Sequence, residues 1–213
     1  MSILQKYNRE LVFLKKTGVF NYFTKRLPKF VWERVTPRKQ RPDRKHEVLK
    51  SFQAKFGLST LIETGTYLGD TIYALQNRFQ KIYSIELDRA LAKLAQQRFA
   101  KSPHITIYQG DSGEVLPQIL QKISEPCLFW LDAHYSEGIT ARGSTDTPIA
   151  KELAAIFSRH VKNHVVLIDD ARGFNGINGY PTIEKLEEYV RAKNQNYTME
   201  MEKDIIRIYP KHV

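Results

Sequence analysis

The chain has 213 residues, enough for one α/β domain with a sizeable core and a short appendage. Its hydrophobic content of 42% is ordinary for a globular protein, and no apolar run approaches the roughly 18 residues that predict a membrane span. The single cysteine excludes an internal disulfide, and no secretory pattern, zinc-binding spacing or phosphate-loop motif is found. We therefore expect a cytoplasmic globular protein.

The net charge of +10 is concentrated near the N-terminus. Residues 1–50 contain 14 of the 33 Lys and Arg residues but only 4 of the 23 Asp and Glu residues, so the rest of the chain is balanced. We divide the chain into a basic N-terminal extension (1–50) and a main domain (51–213). Three roles stay open for the extension: a helical cap on the domain, a peripheral membrane contact through residues 1–45, or a nucleic-acid-binding arm.

The extension is predicted to be partly helical. Apolar and aromatic residues alternate with lysines and arginines over residues 1–35, which favours one or two short helices with a break at Pro28. Residues 36–46 contain two prolines and no apolar side chain, which predicts a linker. A helix is then predicted from Glu47 to Lys55.

From residue 60 onward, short apolar runs alternate with helical stretches. The runs predict five buried strands of a parallel sheet: Thr60–Glu63, Ile82–Glu86, Ile105–Gln109, Cys127–Asp132 and Val165–Asp169. Helices are predicted at about 68–79, 88–100, 113–123, 148–160 and 182–194, with Asp88 capping the second of them. Residues Tyr197–Tyr209 predict two strands joined by a tight turn near Lys203 and Asp204.

These elements define the predicted fold class. It is α/β: a Rossmann-like, doubly wound, mostly parallel seven-stranded sheet with a C-terminal antiparallel hairpin and a helical N-terminal extension. In such sheets ligands bind beyond the carboxyl ends of the strands, so the residues at those ends are the candidates for function.

The ends of the first three strands carry candidate ligand-binding residues. Gly65 and Gly69 allow a sharp turn and the close approach of a ligand, although a generic strand-to-helix turn has the same residues. Glu86 can accept hydrogen bonds from both hydroxyls of a ribose, or it is a solvated strand end. Asp111, followed by Ser112, can accept from an adenine amino group or cap the next helix.

These strand ends resemble the class I S-adenosylmethionine-dependent methyltransferases. The run Glu63-Thr64-Gly65-Thr66 through Gly69 is similar to the first motif of that family, in which glycines make room for the methionine part of the cofactor. The usual Gly-x-Gly core of that motif is replaced here by Gly-x-x-x-Gly. Glu86 occupies the position of the acid that binds the ribose in that family, and Asp111 occupies a position at which an adenine contact is usual. The resemblance covers residues 60–209. It implies an S-adenosylmethionine site made of Glu63, Gly65, Thr66, Gly69, Glu86, Asp111, Ser112 and Asp132.

Three carboxylates follow strands four and five: Asp132, Asp169 and Asp170. They are expected to converge at adjacent strand ends, where close carboxylates repel each other unless they are protonated or bound to a cation. Oxygen-only ligands suit Mg²⁺, Ca²⁺ or Mn²⁺. Alternatively, Asp169 or Asp170 pairs with Arg172 or caps a turn.

The three carboxylates resemble the metal site of O-methyltransferases of the catechol and macrocin types. In those enzymes such residues hold a Mg²⁺ ion that orients two neighbouring substrate oxygens and lowers the pKa of the attacking one. The resemblance implies Asp132, His134 and Asp169 as catalytic residues. His134 is the candidate base because imidazole titrates near neutral pH, with a structural hydrogen bond as its alternative.

Other residues are assigned to the acceptor pocket or to structure. Long glycine-rich loops at 133–147 and 171–181 are predicted to form lids over the pocket. Arg142 and Arg172 could hold an anionic acceptor, and the aromatic residues Tyr135, Phe174 and Tyr180 could stack on a ring or pack within their own loops. His164 opens its strand at the end away from the chemistry and is predicted to be structural. Cys127 begins a buried strand, which argues against covalent catalysis.

Three functions fit the sequence. The first is S-adenosylmethionine-dependent O-methylation of a hydroxylated small-molecule or glycan-like acceptor, with Mg²⁺ as a predicted aid. The second is methylation of RNA recruited by the basic arm, and the third is nucleotide binding by a Rossmann-like protein that does not methylate. The carboxylates at 132, 169 and 170 favour an enzyme, because binding alone does not need them.

Overall fold

The computed structural model describes residues 43–133, 147–158 and 161–211. The helices of these ranges are α1 (Arg44–Phe56), α2 (Asp70–Leu75), α3 (Arg89–Arg98), α4 (Ser112–Leu120), α5 (Ile149–Ser158) and α6 (Ile183–Lys193). The strands are β1 (Thr60–Thr64), β2 (Lys81–Glu86), β3 (Ile105–Gln109), β4 (Cys127–Leu131), β5 (Val165–Ile168), β6 (Tyr197–Glu202) and β7 (Ile205–Pro210). A short 3₁₀ turn follows β5 at Ala171–Gly173.

The strands form one seven-stranded sheet in the order β3-β2-β1-β4-β5-β7-β6. Strands β1 to β5 are parallel to one another, whereas β7 is antiparallel to both β5 and β6. Strand β1 lies between β2 and β4, so the strand order reverses beside it, which is where doubly wound folds open a ligand crevice. The predicted fold class is therefore confirmed.

The core has two halves, one on each face of the sheet, because successive side chains of a strand point to opposite faces. Leu61 and Leu128 pack with buried residues of α1, α2 and α3. Their chain neighbours Ile62 and Phe129 pack with buried residues of α4, α5 and α6. Both faces are covered by helices, which explains why the parallel strands are uninterrupted apolar runs in the sequence.

The predicted strands agree with the structure to within one residue, whereas the five helices predicted after residue 60 are too long. The helix predicted at 68–79 is α2, which spans only Asp70–Leu75. It cannot begin earlier, because Gly69 at its N-cap has left-handed backbone with φ 77°. Asp88 caps α3 as predicted, since its carboxylate accepts from the backbone N–H groups of Ala90 and Leu91.

Helix α1 begins three residues before its predicted start, so the last part of the predicted linker 36–46 is wrong. Asp43 accepts a hydrogen bond from the backbone N–H of Lys45 at 3.0 Å and thereby caps the helix. Leu49 and Phe52 bury one side of α1 in the core, at 0% and 6% exposure. The predicted boundary between residues 50 and 51 thus falls inside a helix, and residues 1–42 of the extension lie outside the described residues.

The terminal hairpin and the structural residues agree with prediction. Lys203 and Asp204 both have positive φ, at 55° and 66°, as a tight turn between antiparallel strands requires. His164 is buried at the start of β5, and its Nδ1 accepts the backbone N–H of Cys127 at 3.1 Å. Burial raises the pKa of the Cys127 thiol to about 12. No helix in the described ranges is long and apolar enough to cross a bilayer.

Candidate active site

The turn after β1 is held by a close contact with the end of β4. Gly65 has φ 90°, and a Cβ atom placed on it would lie 2.4 Å from the carbonyl oxygen of Asp132. The backbone N–H groups of Gly65 and Thr66 both donate to the carbonyl of Ile85, at 2.9 and 3.2 Å. A side chain at residue 65 would therefore push β4 away from the turn.

The second glycine of the turn is also required by its surroundings. Gly69 has φ 77°, and a Cβ atom there would lie 2.8 Å from the ring of Phe99 at the C-terminal end of α3. Arg98 donates to the carbonyl of Leu68 and forms an ion pair with Asp70 at 2.9 Å. The turn predicted from the two glycines is thus present and is fastened to α3.

A buried hydrogen-bond network lies beneath this turn. Ser84 of β2 donates to the Glu63 carboxyl at 2.5 Å, and Thr66 contacts the Ser84 hydroxyl at 2.6 Å. Burial raises the pKa of Glu63 to about 8, although the hydroxyls of Ser84 and Thr71 oppose this increase. Glu63 is 1% exposed and so supports the turn from below.

Glu86 ties the end of β2 to the turn after β1. Its carboxylate accepts the backbone N–H of Tyr67 at 2.7 Å and that of Asp88 at 2.9 Å. Burial raises the pKa of Glu86, and the backbone N–H groups of Asp88 and Tyr67 oppose that increase. The alternative of a solvated strand end is wrong, because Glu86 is 6% exposed.

Asp111 acts as a helix cap. Its Oδ1 accepts the backbone N–H of Gly113 at 2.8 Å, which starts α4. The neighbouring Ser112 is buried beside Glu152 of α5, an acid that the sequence does not single out. Burial raises the pKa of Glu152 to about 7, and the hydroxyls of Ser112 and Thr64 oppose the increase.

The three predicted carboxylates converge at the ends of β4 and β5. One carboxylate oxygen from each of Asp132, Asp169 and Asp170 lies within 4.8 Å of the others. We call these residues the acidic cluster. Asp169 is 1% exposed, and its Oδ1 has no hydrogen-bond partner within the described part of the chain. Their predicted convergence is confirmed.

The carboxylates of the acidic cluster repel one another. Burial raises the pKa of Asp132 to about 8, the charges of Asp169, Glu63 and Asp170 raise it further, and Lys45 opposes them. Burial and the neighbouring negative charges thus favour the protonated form of this carboxyl. A group whose pKa lies near the working pH is suited to proton transfer.

Two basic side chains contact the acidic cluster. Lys45, the second residue of α1, forms an ion pair with Oδ2 of Asp169. Burial lowers the pKa of Lys45, but the hydrogen bond to Asp169 and the charges of the cluster outweigh that effect and raise it. Arg172 pairs with Asp170 at 2.7 Å and also with Asp204. The predicted alternative of pairing with Arg172 is thus present for Asp170.

The sequence pattern does not indicate that Lys45 belongs to the candidate site. The residue lies in the predicted linker 36–46, among other basic residues with the same appearance. Only the capped start of α1 brings its side chain to a carboxylate that lies 124 positions further along the chain.

The loop after β5 is packed on itself. Phe174 is 4% exposed, and its ring meets that of Tyr180 edge to face with centroids 5.2 Å apart. Gly176 and Gly179 have φ values of 83° and 85°, which allow the chain to fold back. Packing within the loop is therefore the observed role of both aromatic rings.

Part of the predicted site lies outside the described residues. This holds for the candidate base His134 and for most of the loop predicted at 133–147, including Tyr135 and Arg142. The acceptor side of the site is thus described through β4, β5 and the loop that follows β5.

Comparison with known proteins finds no match in sequence. No family model matches the chain, and no curated protein matches it.

Solved structures do match in fold. The O-methyltransferase TomG from Streptomyces achromogenes, solved with S-adenosylmethionine, has a TM-score of 0.58 and 14% identity over 99% of each chain. A candidate caffeoyl-CoA O-methyltransferase from Staphylococcus aureus has a TM-score of 0.57 and 14% identity, covering 92% of this chain and 99% of its own. A candidate rRNA methylase from Clostridium thermocellum has a TM-score of 0.53 and 11% identity, covering 76% of this chain and 96% of its own. The chain has the class I S-adenosylmethionine-dependent methyltransferase fold.

Proposed function

We propose that this protein is an S-adenosylmethionine-dependent methyltransferase that methylates a hydroxyl oxygen of a small-molecule or glycan-like acceptor. The observation that carries the proposal is the junction of β1, β2 and β4, where two glycines, Glu86 and the acidic cluster line one edge of the sheet. Fold alone does not decide function, so the proposal depends on these residues.

The cofactor side is supported by the shape of the turn after β1. Gly65 and Gly69 have positive φ and let this turn pack closely, Gly65 against the backbone of Asp132 and Gly69 against the ring of Phe99. The Glu86 carboxylate lies at the end of β2, the position from which an acid accepts hydrogen bonds from ribose hydroxyls. Thr66, Asp111, Ser112 and Asp132 complete the proposed cofactor site, with Glu63 supporting it from beneath.

The reaction needs an oxygen nucleophile and a place for its proton. When bound, the cofactor supplies a methyl group on a positively charged sulfur. Methyl transfer would form a bond between the acceptor oxygen and this carbon and would break the carbon–sulfur bond, whose electron pair would stay on sulfur. We assign proton removal to His134, with Asp132 and Asp169 orienting the acceptor hydroxyl.

A magnesium ion remains part of the proposal as a separate component. The acidic cluster would hold it through oxygen atoms alone, which Mg²⁺ prefers, and the unpartnered Oδ1 of Asp169 is suited to coordination. Such an ion would lower the pKa of the acceptor hydroxyl. The ion pair between Lys45 and Asp169 affects the binding of such an ion, because the lysine contacts one of the carboxylates that would hold it.

The test of the proposal is calorimetric titration with S-adenosylmethionine. Binding with a dissociation constant near 1 μM, roughly −8 kcal/mol, is expected for the unaltered protein. Glu86→Gln should weaken binding about tenfold or more, because it replaces the acceptor of two backbone N–H groups and of the ribose hydroxyls. The matched control is Glu187→Gln on α6, whose carboxylate is 50% exposed and pairs with Arg191.

Absence of cofactor binding by the unaltered protein would overturn the proposal. Nucleotide binding by a Rossmann-like protein that does not methylate would then be the favoured function. Thermal unfolding of each variant, with equal midpoints, shows that a change in affinity does not come from loss of the fold.

RNA methylation is the second candidate, and the charge distribution supports it. The basic residues of the first 50 positions are suited to neutralising phosphates. This candidate predicts RNA binding that weakens steeply as salt is raised, whereas a small-molecule enzyme shows no such binding. A cytoplasmic location, which the lone cysteine favours, is compatible with both candidates.

A further inference from the structure

Helix α1 delivers a lysine to the carboxylates at the end of β5. The helix is anchored by Leu49 and Phe52, which are buried in the core, and its first turn is fixed by the Asp43 cap. Lys45 follows that cap by two residues, so its backbone is held in place while its long side chain reaches Oδ2 of Asp169. The ion pair therefore belongs to the domain and is not a chance meeting of surface groups.

The ammonium group lies where the charges of the acidic cluster add. Its electrostatic partners are Asp169, which it contacts, and the nearby Asp132 and Asp170. These are the same three carboxylates whose oxygens lie within 4.8 Å of one another. One positive group thus occupies the region in which a divalent ion would need its ligands.

A divalent ion and this ammonium cannot both keep full contact with Asp169. Cations a few ångströms apart repel each other strongly where water is partly excluded, and Asp169 is 1% exposed. The Lys45 side chain is 44% exposed and has four rotatable carbons, so it can withdraw to solvent. Metal binding is therefore linked to the release of Lys45 from Asp169.

We propose that Lys45 is the resident cation of the acidic cluster, that its ammonium takes the place of a divalent ion at Asp169, and that it keeps the affinity for such an ion low. Its part in methyl transfer rests on the function proposed above, whereas the competition itself concerns only Lys45, the acidic cluster and the ion. Oδ2 of Asp169 is taken by the lysine, whereas its buried Oδ1 has no hydrogen-bond partner among the described residues and is left for an ion to bind.

The experiment is a titration with Mn²⁺, followed by the paramagnetic resonance signal of the free ion. We compare the unaltered protein with Lys45→Met, which removes the charge but keeps a long side chain. The matched control is Lys50→Met on the same helix, where the lysine pairs with Glu47 at 2.8 Å away from the acidic cluster. Lys45→Met should bind Mn²⁺ about tenfold more tightly or better, and Lys50→Met should bind as the unaltered protein does.

Two further variants make the result specific. Lys45→Arg keeps the positive charge and should retain the low affinity of the unaltered protein. Combining Lys45→Met with Asp169→Asn should abolish the gain, because the ligand itself is lost. Equal Mn²⁺ affinity in the unaltered protein and Lys45→Met, or no binding by either, would overturn the proposal, as would a gain that persists in the double variant.

Cofactor titration and thermal unfolding are run on the same samples. Loss of the fold in Lys45→Met would appear in the unfolding curve. In that case the Mn²⁺ affinities of Lys45→Arg and Lys50→Met are compared instead. Tighter Mn²⁺ binding by Lys45→Arg than by Lys50→Met would overturn the proposal. If the unaltered protein failed to bind S-adenosylmethionine, the proposed function would fall while the Mn²⁺ comparison kept its meaning.

Discussion

Gly65 shows what a single residue does at the centre of the candidate site. The sequence predicts a sharp turn there, and the turn is present with φ 90°. What the sequence does not contain is the reason that no other residue fits, which is the carbonyl oxygen of Asp132 at 2.4 Å from the place of a Cβ atom. Contacts between residues 67 positions apart depend on the sheet and cannot be inferred from local pattern.

Gly65→Ala should therefore destabilise the protein and disrupt the cofactor site together. The added methyl group displaces backbone at a high energetic cost, and the positive φ of residue 65 adds strain, so we expect a loss of about 2–4 kcal/mol in the free energy of unfolding. Affinity for S-adenosylmethionine should fall by about tenfold or more, because β4 is displaced from the turn. Denaturant unfolding and calorimetry measure the two effects.

The control for this substitution is Gly57→Ala at the end of α1. Gly57 also has positive φ, at 60°, but a Cβ atom there meets nothing within 4 Å. Gly57→Ala should lower the free energy of unfolding by only about 1 kcal/mol and leave the affinity for S-adenosylmethionine unchanged. If both variants behaved alike, the contact with Asp132 would have no special role.

The acidic cluster separates what residue patterns can and cannot predict. Asp132, Asp169 and Asp170 were predictable as a group, because parallel strands end at one edge of a sheet and the three residues follow adjacent strands. Lys45 was not, because its position depends on where α1 begins and on how that helix crosses the sheet. The carboxylates are thus encoded locally and their counter-ion is encoded by tertiary structure.

At the scale of elements, Glu63 joins two strands and a turn through hydroxyl groups. It belongs to β1, its partner Ser84 belongs to β2, and Thr66 of the turn completes the network. Since burial raises the pKa of Glu63 to about 8, the folded protein keeps a proton there well above pH 4.5, the pH around which an ordinary glutamate loses it. Folding is therefore linked to pH through this junction.

The sign of the linkage follows from proton counts. Between pH 4.5 and about 8 the folded state binds one more proton at Glu63 than the unfolded state does, so the free energy of unfolding falls as pH rises. The slope from one such group is at most about 1.4 kcal/mol per pH unit. Below this window both states are protonated at Glu63, and above it both are ionised, so the contribution to the slope vanishes.

Glu63→Gln should remove this contribution. We expect the variant to lose less stability than the unaltered protein as pH is raised from 5.5 to 7.5, by an amount up to about 2.7 kcal/mol. Glu114→Gln is the control, because its carboxylate is 67% exposed and pairs with Lys151 on the surface. Denaturant unfolding at several pH values measures the difference, and parallel curves for Glu63→Gln and the unaltered protein would show that Glu63 is ionised in the fold.

Strands were easier to predict than helix ends for a physical reason. The buried strands of a parallel sheet are continuous apolar runs, so their bounds are visible in sequence. Helix ends depend on caps and backbone conformation, such as Gly69 before α2 and Asp43 before α1. The second of these stood in a stretch whose prolines and charges indicated a linker.

At the scale of the whole molecule, the excess of positive charge is concentrated in the first 42 residues. Residues 1–42 contain 11 Lys and Arg residues and 2 Asp and Glu residues. The described residues begin directly after them with the capped helix α1. Basic and aromatic residues together are suited to the surface of an anionic membrane, which is one of the three roles open for the extension, beside a helical cap and a nucleic-acid-binding arm.

Deletion of residues 1–42 tests that contact. If the extension contacts a membrane, the full chain should sediment with vesicles rich in phosphatidylserine at low salt, and not with neutral vesicles, because each basic residue adds about 1 kcal/mol near an anionic surface. The chain that begins at Asp43 should stay in solution. Unchanged vesicle binding after deletion would exclude the contact, and a lower free energy of unfolding after deletion would favour the helical cap.

The only thiol of the protein is Cys127, which is fully buried at the start of β4 and has its pKa raised to about 12. Thiol reagents react with the thiolate at an accessible sulfur, so this one is silent towards them in the folded state. The native chain is consequently a ready background for spectroscopic labelling. A cysteine introduced at one exposed position, such as Ser51, would carry the only dye or spin label and would report the movement of α1 against the sheet, and Cys127 would not have to be replaced.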